Sequence, residues 1–332
     1  MNFGESVGET AAHAQLSFAA DNGVNLIDTA ETYPYPPSAD KHGLSETFIG
    51  NWFKHSGSRA NTCLVTKIAG PSAHLRYLRG GDLDFEKSHI ITSVEESLAR
   101  LQTDHIDIAL LHWPFRATNT LGQMDYKPAK KERDPLNVKS DIKQTLEAID
   151  ELIVAGKVRY FGLSNETPWG VMQFLATAKE HGLPRIVTLQ NRYHLLDRHF
   201  DVGLAEIADR EEIGLMAYSP LAFGLLSAKH HGDAGILKNT RLDGTKKLHR
   251  FLSETSLSVA KKYVDLAASY EINPAQMAIA YLLTRRYVTT VLVSASSLDQ
   301  LDINLSAPQI VLPKNLLKDI DKIHRQYPNP CL

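Results

Sequence analysis

Cysteine is scarce: Cys63 and Cys331 are the only two in 332 residues. That excludes a disulfide framework and suits a reducing compartment, with the cytoplasm as the default. No apolar run approaches the ~20 residues a membrane span needs, and the first residues lack the charged and apolar regions of a secretory leader. Charge of one sign is missing too. Thirty-six Lys and Arg against 38 Asp and Glu leave a net charge of −2, so there is no global pull toward nucleic acid or an anionic membrane. No G-x-G-x-x-G pattern occurs, and a Rossmann domain is unsupported. Low-complexity tracts and composition breaks are equally absent. The expectation is one enzyme-sized domain over residues 1–332, with 43% hydrophobic residues for its core.

What is present is a repeated pattern. Seven short apolar runs each end on a polar or ionisable residue: VNLID at Asp28, TCLVTK at Lys67, IDIALLH at His112, VRYFGLSN at Asn165, RIVTLQN at Asn191, IGLMAYS at Ser219 and TTVLVSAS at Ser296. Such β-branched runs between amphipathic helices read as buried parallel strands of βα units. Functional groups at successive strand ends predict the mouth of a (β/α)8 TIM barrel. Helix signals agree. Thr167-Pro168 predicts a cap and first turn leading into Val171, Phe174, Leu175 and Ala178, stopped at His181-Gly182. Asn273-Pro274 opens another helix through Met277, Ile279, Ala280 and Leu283. Apolar stripes run through Ile142, Leu146, Ile149 and Ile153, closed by Gly156, and through Ile91, Val94, Leu98 and Leu101.

Three connections are long: Gly70 to Lys87, Trp113 to Lys139 and Ala222 to Arg250. All follow strands, which puts them at the catalytic face, where long loops serve as lids or binding loops. Their basic residues, Lys130-Lys131 and Lys246-Lys247 among them, read mostly as solvated charge.

Four strand-end and loop residues carry chemistry: Asp28, Tyr33, Lys67 and His112. A free tyrosine ionises near ~10, too high for easy proton donation at neutral pH. A neighbouring ammonium such as Lys67 stabilises tyrosinate and lowers that value. Asp28 would keep Lys67 charged and in place, and His112 would bond a carbonyl oxygen or relay a proton. Together they make a proton-donor set for carbonyl reduction. Taken singly each has an ordinary structural role: Asp28 as a cap, Lys67 as a solvated strand end, His112 as a satisfied core histidine.

The segment Asp28-Thr-Ala-Glu-Thr-Tyr33 resembles the D-x-A-x-x-Y motif of the aldo-keto reductases, and Lys67 in VTK and His112 in LLHWP match the other two catalytic positions in order. The resemblance covers almost the whole chain. GLSETFIGNW, GKVRYFGLSNET, GLPRIVTLQNRYHLL and AYSPLAFGLLSAK look most like the Tas-like branch of bacterial aldo-keto reductases. It implies an NADP(H)-dependent oxidoreductase that reduces an aldehyde or ketone, with Tyr33 as proton donor. It also implies NADP(H) lying across a barrel mouth. Ser164, Asn165 and Gln190 match positions that hold the nicotinamide amide, and Tyr218 the ring that stacks on it. Ser219, Pro220, Leu221, Gly224 and Leu226 match the loop over the pyrophosphate, and Ser296, Gln300 and Asn304 the adenosine end.

Departures from the family pattern are specific. The chain starts at Met1-Asn2-Phe3-Gly4-Glu5, which resembles the segment just after the family's first barrel strand. The resemblance therefore implies a barrel without its N-terminal hairpin and first strand, roughly 20 residues, and raises the alternative of an inactive truncated product. Asp302 and Ile303 stand where relatives often carry Lys or Glu, so the preference for NADP over NAD is carried by resemblance alone, with Lys229 or Arg241 as candidate phosphate partners. Ala222 and Phe223 replace glycines common in distant relatives. Tyr35, Trp113, Phe115 and Tyr193 point to an apolar or aromatic carbonyl substrate. Two other readings are a non-catalytic NADP(H)-binding accessory or sensor of the same fold, and a metal-dependent barrel hydrolase. The latter needs more strand-end ligands than Asp28 and His112, since His230-His231 read as a solvated pair.

Overall fold

A computed structural model describes residues 1–81, 83, 85–119, 125–127, 135–231, 235–238, 240, 242–243 and 250–331, without the side chains of 135–137. All seven expected strands form: β1 (Leu26–Asp28), β2 (Cys63–Ile68), β3 (Ile106–Leu111), β4 (Val158–Ser164), β5 (Ile186–Arg192), β6 (Gly214–Tyr218) and β7 (Val288–Val291). They make one sheet in the order β1-β2-β3-β4-β5-β6-β7, with parallel neighbours wherever the register is defined. Helices alternate with these strands, so among the described residues the topology is that of a (β/α)8 barrel less one strand. β7 is shorter than its sequence run, and Ser296 lies beyond its end.

The chain's contacts gather into two compact units. The first holds residues 1–120, 125–189 and 294–298, and its helices are α1 (Glu9–Asp21), α2 (Leu44–Ser56), α3 (Lys87–Leu101), α4 (Pro135–Val154) and α5 (Pro168–His181). Its core includes Leu16, Ile49, Trp52, Phe53, Leu64 and Leu101, with Phe3 and Ile27 packed against them. Two stripes sit one residue from expectation. Ile90 rather than Ile91, and Leu152 rather than Ile153, are the buried members. Adjacent apolar residues at a stripe's edge satisfy the 3.6-residue period equally, and the sheet below chooses between them.

The N-terminal ends of β2, β3 and β4 are tied by charge. Asp107 accepts from the Leu64 amide (2.9 Å) and from Arg159 (2.7 Å), and pairs with Arg59 at 2.9 Å. Arg59 also donates to the carbonyls of Thr62 (2.8 Å) and His105 (2.7 Å). This fixes the register of the strands that carry Lys67 and His112.

The second unit holds the described residues within 190–293 and 299–331, with α6 (Leu204–Arg210), α7 (Glu254–Ser269), α8 (Pro274–Leu283), α9 (Leu298–Ser306) and α10 (Lys314–Gln326). The expected caps form. Thr167 accepts the Gly170 amide at 3.3 Å ahead of α5, and Asn273 accepts the Ala275 amide at 2.9 Å ahead of α8. Tyr193 is a correction to the rim reading. It is fully buried, and its hydroxyl donates to Asp201 at 2.8 Å while its ring packs on Phe200.

His194 in this unit gives a pH dependence. It is fully buried, neither ring nitrogen has a partner, and burial pulls its pKa down to about 3, with Arg192 and Arg250 pushing the same way against Asp197. In the unfolded chain it titrates near ~6.5. Between these values the unfolded state binds the extra proton, so stability is present above pH ~6.5 and is lost as pH falls. At pH ~5 the loss from this residue is about 2 kcal/mol. Acidification from pH ~7.5 to ~5 is expected to lower Tm, and His194→Gln to flatten that slope. Equal slopes in both proteins would assign the acid sensitivity elsewhere.

Candidate active site

Parallel register decides which side chains meet. Asp28 pairs with Val65, and Lys67 with Leu110, so Lys67 stands two residues, hence one same-face step, beyond the partner of Asp28. Its ammonium donates to both carboxylate oxygens of Asp28 (2.8 and 2.7 Å) and to the Thr29 carbonyl (2.6 Å). Lys67 is 1% exposed, which rules out the solvated strand end. Burial works against its charge, but Asp28 and Tyr33 outweigh that and hold its pKa above the ordinary lysine value. The three ammonium donors are thus matched by Asp28, Thr29 and Tyr33.

Tyr33 is placed by a turn closed from its amide to the Ala30 carbonyl (3.0 Å). The Lys67 nitrogen lies 5.0 Å from its ring centre, and its ring meets His112 edge-on at 5.7 Å. Tyr33 is partly exposed. His112 follows β3 directly, its amide bonded to the Ile68 carbonyl at 3.0 Å. Burial, then the charge of Lys67, pushes its pKa well below the usual histidine range. The ring is therefore neutral at pH 7 and offers one N–H. All four residues expected to be catalytic come together, within the first unit.

In the same unit Asn165 takes a left-handed backbone (φ 58°), and its amide donates to the His112 carbonyl (2.9 Å) and to Ser164 (3.1 Å). Ser164 and Asn165 thereby brace the histidine from β4. Ser296 is exposed on the segment after β7. In the second unit Gln190 is buried in β5, and Tyr218 ends β6 half-buried. The turn after it runs through Ser219, Pro220, Leu221, Gly224 and Leu226, with positive φ at Ser219 (59°), Ala222 (47°), Phe223 (58°) and Gly224 (97°). Ala222 and Phe223 thus hold the backbone that glycine takes more easily. The ring of Phe223 packs on Phe251 at 4.8 Å.

Leu226 has a buried side chain, and its amide, like those of Ala222 and Gly224, is bonded inside the turn. Backbone donors at those three points face inward. The Lys229 ammonium lies 3.0 Å from where a Cβ on Gly224 would sit, and the positive φ of Gly224 (97°) is what favours glycine there. Gln300 and Asn304 share one face of α9, the former exposed and the latter buried. His230 corrects the solvated reading. It is 4% exposed, and burial, Lys229 and His231 draw its pKa down to about 4. Lys130, Lys131, Arg241, Lys246 and Lys247 lie outside the described residues.

Three buried ion pairs were not visible in the sequence. Glu31 is held by Arg79, Glu46 by Arg100, and Glu166 by Arg116. Each joins residues about fifty positions apart, and no local pattern signals such a pairing. Among the described residues no three His, Cys, Asp or Glu gather as metal ligands, and no helix is long and apolar enough to cross a membrane.

The Asp28–Lys67 ion pair, the partly exposed Tyr33 and the neutral His112 thus gather at the C-terminal ends of adjacent parallel strands, the face on which barrel enzymes carry their sites. The sequence profile of the aldo/keto reductase family matches residues 1–325, and the chain belongs to that family of oxidoreductases. It is 40% identical to "Protein tas" of Escherichia coli (strain K12), over all of this chain and 94% of that protein. It is 31% identical to an "Aldo-keto reductase" of Babesia bovis over 80% of this chain and 97% of that one. It is also 31% identical to the "Uncharacterized oxidoreductase YrpG" of Bacillus subtilis (strain 168), over 99% of this chain and 91% of the relative.

Proposed function

We propose that this oxidoreductase reduces an aldehyde or ketone with NADP(H), Tyr33 supplying the proton to the carbonyl oxygen. The observation that carries the reading is the single contact set in which Lys67, charged and buried on Asp28, also faces Tyr33. When bound, the nicotinamide supplies the hydride. The protein's own residues handle the proton. Tyr33 delivers it to the substrate oxygen, and the Lys67 ammonium stabilises the phenolate that remains. Asp28 keeps that ammonium oriented. The neutral His112 donates its N–H to the carbonyl oxygen and fixes the substrate beside Tyr33.

Each unit, taken by itself, carries groups that suit part of a dinucleotide. In the first, Ser164 and Asn165 have the donors and acceptors a carboxamide needs, and Ser296 is a polar group for the adenosine end. In the second, Gln190 is a further carboxamide partner, Tyr218 a stacking ring, Lys229 beside Gly224 a positive charge for a phosphate, and Gln300 and Asn304 polar groups for the adenosine end. Trp113, stacked on His112 at 4.6 Å, and Phe115, packed on Phe85, favour an apolar or aromatic carbonyl.

Thermal unfolding with NADPH and with NADH tests the cofactor. Ligand at a hundred times its dissociation constant adds ~2.7 kcal/mol, equivalent to roughly 5–10 °C for a chain of this size. A shift with NADPH followed by oxidation of NADPH on adding an aromatic aldehyde is the expected result. A shift without turnover over a carbonyl panel would instead support the accessory or sensor reading, and no shift would overturn both.

A further inference from the structure

Glu31 lies inside the Asp28–Tyr33 segment, two residues before the proton donor, and its side chain is fully buried. One carboxylate oxygen accepts the Ala69 amide (2.6 Å), two residues beyond Lys67. Arg79 closes on the carboxylate as a fork, donating to Oε2 at 2.5 Å and to Oε1 at 3.1 Å, and it also reaches the Ala69 carbonyl (3.3 Å). The arginine side chain is 4% exposed. It belongs to the long segment between β2 and α3, where φ is positive at Arg79 (41°), Gly80 (77°) and Gly81 (102°). The backbone adopts a disfavoured conformation at Arg79, and the fork is what offsets it.

That segment is no solvated loop. Leu75, Leu78 and Leu83 form a cluster with Ala69, and Tyr77 and Trp113 pack against it. The indole of Trp113 donates to the Pro71 carbonyl at 3.0 Å, and Phe85 closes over Gly70, where a Cβ would fall 2.5 Å from its ring. Trp113 in turn stacks on His112. The cluster is therefore continuous with the catalytic histidine at one end, and is fastened to the tyrosine's own segment at the other.

We propose that Glu31 and Arg79 are positioning residues that hold the segment over residues 71–81 as the wall against which the carbonyl substrate binds. This rests on the carbonyl-reductase reading above. Neither residue touches the reacting atoms. They act through Ala69, through the Asp28–Tyr33 turn and through Trp113, and so they set substrate placement rather than cofactor binding.

The test uses the full chain and two variants. Arg79→Met alone leaves a buried carboxylate unpaired and is expected to lower Tm. Glu31→Gln with Arg79→Met removes both charges, so much of that stability returns, but the fork is gone. The double variant is expected to lose about 10²-fold in kcat/KM for an aromatic aldehyde, mostly through KM, with the NADPH dissociation constant unchanged by fluorescence titration. Wild-type KM and kcat in a folded double variant overturn the inference while the carbonyl-reductase reading stands. Equal losses in KM and NADPH affinity also overturn it, as a sign of general damage. Wild-type protein that reduces no carbonyl overturns the underlying reading, and this inference with it.

Discussion

Tyr33→Phe is expected to lose about 10²–10⁴-fold in kcat, the usual worth of a positioned acid, with cofactor affinity unchanged. The substitution removes one hydroxyl and little else. The ring still meets His112 edge-on, and Lys67 keeps its bonds to Asp28 and to the Thr29 carbonyl. A loss confined to kcat therefore reports on the proton transfer itself. Steady-state rates with saturating NADPH and an aromatic aldehyde, beside a fluorescence titration of NADPH, separate the two quantities. Undiminished kcat would remove Tyr33 from the mechanism and the carbonyl-reductase reading with it.

The second large effect is on stability. Lys67→Met strands the Asp28 carboxylate beside a buried apolar chain, since lysine and aspartate are 1% and 14% exposed. Breaking one side of such a pair costs about 3–5 kcal/mol, or a fall in Tm of roughly 6–20 °C at the slope expected for a large domain. Asp28→Asn added to Lys67→Met takes away the stranded charge and is expected to restore most of that Tm. On the proposed mechanism turnover is not expected to return, because the phenolate of Tyr33 would lack its ammonium. Recovery of stability without activity would distinguish the two duties of Lys67. A single variant with an unchanged Tm would mean the pair contributes nothing to the fold. The alkaline limit has a definite sign as well. The raised pKa of Lys67 makes its contribution complete below pH ~10.5 and lost only as pH climbs beyond.

The strands were legible because parallel buried strands concentrate β-branched residues in short runs, and Asp28, Lys67 and His112 stood out as the charged or polar ends of three of them. Register then did what sequence cannot, placing Lys67 one same-face step past the partner of Asp28. The rest was hidden for definite reasons. Ile90 against Ile91 is a rotation of one position about a helix, invisible to a periodic count. Tyr193 read as a rim aromatic because it follows a strand, but Asp201 and Tyr287 satisfy its hydroxyl inside the second unit. Arg79 sat among loop charges that resemble solvated ones. Its chief partner is a carboxylate forty-eight residues earlier in the chain.

The Asp107 tie at the feet of β2, β3 and β4 has a consequence for how this protein can change. Arg59, Arg159 and the Leu64 amide hold those strands at the end away from Lys67 and His112. Substitutions around Tyr77, Trp113 and Phe115 therefore draw on a scaffold whose alignment is guaranteed elsewhere. A library confined to those three positions should yield mostly folded members with altered carbonyl preference, whereas one at Arg59 and Asp107 should yield mostly insoluble chains. Adaptability and robustness occupy opposite ends of the same few strands, and selection for a new substrate can work on one without spending the other.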